Sequence, residues 1–85
     1  MPIPQIITRD NILAVINQIN LGRQIPIRRH ARRVALTNNG INYPVKIIIS
    51  WAYELSTGQE LPYNSFITQE AKRYLEDLGF NIIDI

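Results

Sequence analysis

The chain has no cysteine, one histidine, one tryptophan and one methionine among its 85 residues. Without cysteine there is no disulfide framework and no thiol nucleophile. His30 alone cannot build a zinc site without carboxylate help. The longest apolar stretches, such as Ile47-Ile48-Ile49, fall far short of the ~18–20 residues that a membrane-spanning helix needs, so no membrane association is expected. The opening Met-Pro-Ile-Pro-Gln-Ile-Ile lacks a positive stretch and a small-residue cleavage site, so the expected location is cytoplasmic. There is no Gly-rich phosphate loop, no Gly-x-Ser-x-Gly and no His-Glu-x-x-His. No pair of carboxylates stands out for hydrolysis, because Glu54, Glu60, Glu70, Glu76 and Asp77 fall on expected solvent faces or in a loop. An enzyme is therefore not expected, and neither are catalytic residues, a metal or a cofactor.

What is present is a 46% hydrophobic chain, enough for one small domain with a thin core. Its formal net charge of +2 conceals a strong asymmetry. From Asn11 to Tyr53 there are six basic residues (Arg23, Arg28, Arg29, Arg32, Arg33, Lys46) and no acid, which gives +6. From Glu54 to Ile85 there are six acids against Lys72 and Arg73, which gives −4, and Arg9 cancels Asp10. A chain divided in this way has one side suited to a polyanion and another that is not.

The element order follows from caps, breakers and periodicity. Pro2 and Pro4 make residues 1–7 an extended lead-in, and residues 8–85 form the single domain. Thr8 is an N-cap, and Ile12, Leu13, Ile16 and Ile19 repeat with helical spacing up to Gly22, so a helix is predicted at about 9–21. Residues 22–33 have no period and hold five of the nine basic residues. Residues 34–37 and 41–43 alternate on either side of Asn38-Asn39-Gly40, which is a hairpin signal. Pro44 suits the first position of a helix running to about Thr57, the central helix of the core, with Lys46, Ser50, Glu54 and Thr57 as its narrow polar stripe. Residues 59–67 are a loop containing Pro62. Either Ser65 or Thr68 can cap a last helix at 68–78, which Gly79 closes, and residues 81–85 read as a strand pairing with the hairpin. The expected fold class is α+β, in the order α-β-β-α-α-β, with a small, mostly antiparallel sheet packed by helices.

The run Arg28-Arg29-His30-Ala31-Arg32-Arg33 leading into a strand, then Asn39-Gly40, Tyr43-Pro44-Val45-Lys46, the helix IIISWAYELSTG (47–58), Phe66, Tyr74-Leu75 and Leu78-Gly79-Phe80 together form a pattern. This pattern resembles the N-terminal head domain of McrA-type, modification-dependent HNH restriction endonucleases. Val45 stands where the pattern has a second proline, and Ile67-Thr68 where similar sequences have two glycines. The resemblance implies a module that recognises or grips DNA beside a separate nuclease, fused or partner, in a restriction or defence system. It implies no catalysis in these residues, because the HNH part has no counterpart here.

The residues themselves point to the same ligand class. Arg28, Arg29, Arg32 and Arg33, with Arg23 upstream, form a dense guanidinium array suited to phosphate oxygens. Lys46 near a helix start, where the dipole opposes a cation, suits a bound anion. Tyr43 is a candidate for stacking on a base, and Asn39 for an adenine edge, although turn chemistry alone accounts for Asn38 and Asn39. Asn42 is a third candidate for adenine, while Trp51 is expected in the core. The roughly ten residues between the two later helices exceed the ~3–4-residue turn of a helix-turn-helix. The expected function is a non-catalytic module for double-stranded DNA. The alternative is a protein-interaction or dimerisation module whose basic side docks on an acidic partner.

Overall fold

A computed structural model describes residues 3–26 and 33–85. Two of the three helices pack on one face of a three-stranded antiparallel sheet and the first packs against the second, an α+β arrangement in the order α-β-β-α-α-β. Helix α1 (Arg9–Asn20) begins at Thr8, whose Oγ1 accepts from the Asn11 N–H at 3.2 Å while Asn11 Oδ1 accepts from the Thr8 N–H at 3.0 Å. This reciprocal cap satisfies two of the donors that a helix start leaves open. At the other end, Gly22 takes a left-handed φ of 115°, and the N–H groups of Gly22 and Arg23 bond to the carbonyls of Ile19 and Gln18, both at 3.0 Å. Its inward stripe is Ile12, Val15 and Ile16, with Ile19 partly buried, whereas Leu13 is 40% exposed. Leu13 was expected inward. It lies about 100° round the helix from Ile12, while Val15 completes the three- and four-residue spacing.

Strands β1 (Val34–Asn38) and β2 (Ile41–Pro44) form the hairpin, with Asn38 opposite Ile41 and a two-residue turn in which Asn39 (φ 52°) and Gly40 (φ 79°) both lie on the left-handed side. That turn twists in the sense the strands require. Strand β3 (Asn81–Asp84) pairs with the other edge of β1, so the spatial order is β2-β1-β3. Pro44 ends β2 and caps helix α2 (Val45–Thr57) instead of opening it, because its extended ψ of 126° still belongs to the strand opposite Ala35. An edge strand tolerates the missing N–H.

Helix α2 forms the middle of the core, with Val45, Ile47, Ile48, Ile49, Trp51 and Ala52 all buried. Ser50, expected on its polar stripe, is also fully buried. The chain after α2 folds back across it: Ser50 Oγ donates to the Leu61 carbonyl at 2.9 Å, and the Leu61 N–H donates to the Ser50 carbonyl at 3.4 Å. A 3₁₀ turn at Tyr63–Ser65 follows, then helix α3 (Thr68–Asp77). Neither Ser65 nor Thr68 caps α3. Ile67 holds the cap position and its N–H donates to the Glu70 carboxylate at 2.9 Å, a negative charge placed where the helix dipole favours it. Ser65 instead donates to the Pro62 carbonyl at 2.7 Å. Gly79 (φ 92°) closes α3, with the N–H groups of Gly79 and Phe80 bonded to the carbonyls of Glu76 and Leu75.

The lead-in contributes to the core as well. Ile3 and Ile7 are both buried, and the Tyr74 hydroxyl donates to the Ile7 carbonyl at 2.8 Å. Burial raises the pKa of that hydroxyl.

Candidate nucleic-acid interface

The +6 segment does not act as one surface, because the fold treats its cations differently. Arg23, just past the end of α1, lies with its guanidinium 3.6 Å from the centre of the Trp51 ring. It also donates to Glu54 at 3.0 Å and to Gln18 at 2.7 Å. Arg23 thus clasps α1 to α2 with an acid of its own chain, with both terminal guanidinium nitrogens bonded within the fold. Lys46, in the first turn of α2, is half-buried, with its ammonium 3.9 Å from the Tyr63 ring centre and 5.0 Å from that of Phe66. Attraction to the ring faces, worth about 0.5–1 kcal/mol at such sites, offsets the opposing helix dipole. Outside that segment, Arg9 donates to the Leu78 carbonyl at 2.7 Å, beside the C-terminus of α3, and sits 4.5 Å from the Phe80 ring centre.

Tyr43 is a core residue. Its ring is 1% exposed and its hydroxyl donates to Asn20 Oδ1 at 2.6 Å, so no ring face is open to a stacked base. The reason is register: Tyr43 lies opposite Leu36 on the face of the sheet that the helices cover. Trp51 is 4% exposed, as expected of a core residue.

Arg33 differs from Arg23. It is exposed, and its guanidinium makes no ion pair or ring contact among the described residues. Its backbone is held, because the Arg33 carbonyl accepts from the Ile85 N–H at 2.8 Å and extends the β1–β3 ladder by one step. Arg28, Arg29 and Arg32, together with His30, lie outside the described residues.

The pairing places the remaining candidates. Ala35 lies opposite Pro44, so Arg33, two residues before Ala35, and Lys46, two residues after Pro44, belong to the same end of the sheet. Asn39 occupies the turn at the opposite end, six residues from Arg33, or roughly 20 Å of extended chain. The hairpin turn and Arg33 therefore lie at opposite ends of β1.

A concavity of ≈ 280 Å³ lies elsewhere, lined by Ile3, Gln5 and Ile67 and by the α3 residues Gln69, Glu70, Arg73, Tyr74 and Asp77. None of the expected site residues lines it. Among the described residues no cluster of histidine and carboxylates could hold a metal ion, and no helix is long and apolar enough to cross a membrane.

Comparison with known families matches residues 5–84 to the ScoMcrA-like N-terminal head domain. Neither the curated proteins nor the solved structures yield a match. The match spans nearly the whole chain, and the chain belongs to that family.

Proposed function

We propose that this head domain is a non-catalytic DNA-binding module that targets a restriction or defence system, with the nuclease supplied by a separate domain or partner. Arg33, with Arg28, Arg29 and Arg32 just before it in the chain, grips backbone phosphates. The observation that carries this reading is the contrast between Arg23, held by Glu54 and Trp51, and Arg33, exposed at the mouth of β1 directly after three further arginine positions. A cation that the fold leaves exposed, in a stretch of sequence dense in arginine, suits a polyanionic ligand. Arg23 and Tyr43 are left out of the grip because the fold uses both. Family membership supports the absence of catalysis here, since the family is a head domain.

Phosphate contacts release counterions, so neutralising four or five phosphates gives a slope of about −4 in log K against log salt. Arg32→Ala with Arg33→Ala is expected to weaken binding of unrelated DNA duplexes uniformly and to make that slope shallower by about 2, with the fold retained. Binding titrations from ~50 mM salt upward, where non-specific contacts are strong, measure both quantities. Failure of the unaltered protein to bind any duplex at the low-salt end would sink the proposal, and would leave docking on an acidic protein as the use of this surface.

A further inference from the structure

The phosphate grip carries no sequence information, and the sheet has a face that the helices do not use. Leu36 lies in register with Tyr43 on β2 and Ile82 on β3, and all three pack in or against the helix-covered core. Successive strand residues point to opposite faces, so the next row, Asn42–Thr37–Asn81, projects from the other side. The row beyond it on that side is Pro44–Ala35–Ile83, in which Pro44 and Ala35 are buried and Ile83 is half-buried, so the open part of this face is the Asn42–Thr37–Asn81 row next to the hairpin turn. Arg33 continues the same alternation at the start of β1. Along the central strand the residues on this side are Arg33, exposed, Ala35, fully buried, and Thr37, half-buried.

We propose that this helix-free face reads base edges in the major groove of duplex DNA, with Asn42 and Asn81 as the base-contacting amides and Thr37 between them. The proposal rests on the DNA-binding reading above, and it supplies the sequence-dependent contact which that reading lacks. Three observations support it. Asn42 and Asn81 are exposed and Thr37 is half-buried, and no hydrogen bond among the described residues occupies the side chain of any of the three. Asparagine is depleted from strands, so two of them in register across a three-stranded sheet have a poor structural rationale. The dimensions also agree. Strands are spaced ~4.8 Å apart, which puts Asn42 and Asn81 ~10 Å from each other, within the ~12 Å major groove and too broad for the ~6 Å minor groove.

The chemistry points to the ligand. An asparagine amide offers a donor and an acceptor in the pairing that matches the N6 amine and N7 of adenine, and a threonine contributes a hydroxyl to either kind of edge and a methyl to the thymine methyl. The face is therefore suited to A·T-containing sites.

The test is selection from short randomised DNA duplexes by the unaltered chain and by Asn42→Ala with Asn81→Ala. The unaltered chain is expected to enrich an A·T-containing motif over random sequence, and the double variant to lose about 5- to 150-fold of that preference per lost contact. Affinity for random duplex, salt slope and melting temperature stay unchanged in the variant, because both side chains are exposed. Replacing adenine by 7-deazaadenine in the motif removes the N7 acceptor, which should reproduce the loss in the unaltered chain and have no effect on the variant. Binding that depends on Arg32 and Arg33 but shows no sequence preference, or a preference that the double variant keeps, overturns the reading face alone. Absence of binding to every duplex overturns the phosphate grip and this inference together.

Discussion

Arg23 and Arg33 stand ten residues apart in one acid-free segment, yet the molecule uses them in opposite ways. Arg23 enters the helical layer, lies on Trp51 and pairs with Glu54 and Gln18. Arg33 enters the sheet, where only its backbone is bonded and its guanidinium stays in solvent. Lys46 and Arg9 follow the first pattern, since each lies over aromatic rings. The difference shows that counting basic residues overstates a ligand site. A cation with a ring face and a carboxylate to satisfy it helps hold the fold, and only the remainder forms a surface for anions.

The sharpest way to break this contrast is to remove the platform under Arg23. Trp51→Ala is expected to destabilise the domain by about 3–5 kcal/mol, which a domain of this size registers as a melting-temperature drop of some 4–8 °C per kcal/mol. Arg33→Ala should stay within about 0.5 kcal/mol of the parent, as exposed substitutions usually do. Comparable losses from both would mean that Arg33 also supports the fold.

A smaller effect separates the two arginines directly. Arg23→Ala is expected to cost about 1 kcal/mol or less, since its ion pair is only partly buried and its stacking contact is modest. It should leave the salt slope of DNA binding where it was. A slope made shallower by about one would place Arg23 on a phosphate and erase the distinction.

The smallest expected effect concerns pH. Burial raises the pKa of Tyr74, so the fold favours the neutral hydroxyl that donates to the Ile7 carbonyl. The stabilisation is fully present below the ordinary tyrosine value of ~10 and is lost as pH rises through the higher native value. Tyr74→Phe should flatten the fall in denaturant midpoint at alkaline pH, while DNA binding at neutral pH is unaffected. An equally steep alkaline loss in the variant would assign it to another group.

Much of the fold was legible because its signals are local. Thr8 with Asn11, the Asn39-Gly40 turn, and Gly22 and Gly79 at two helix ends each act within four or five residues of chain, and each appears where the spacing placed it. The errors are cases of non-local override. Ser50 was put on a solvent face because no local rule shows that Leu61 will return across it. Ser65 and Thr68 were favoured as caps because a carboxylate reaching back from Glu70 does the same work with an unremarkable residue at the cap. The interface was less legible than the fold. Tyr43 and Arg23 carry side chains that suit nucleic acid equally well, and only strand register and a partner 31 residues away show that both are already used.

Sequence alone determined the element order, the hairpin, the absence of thiol chemistry and the division of charge into +6 and −4. These depend on residue types and short spacings, which survive without coordinates. Tertiary structure decided which of the described cations face solvent, which end of the sheet Arg33 occupies, and that Asn42, Thr37 and Asn81 share one face. Those facts depend on which strand lies beside which and in what register. That Asn42 and Asn81, 39 residues apart in the chain, flank Thr37 from either side is set by the summed burial of the whole core and not by anything either asparagine's neighbours encode.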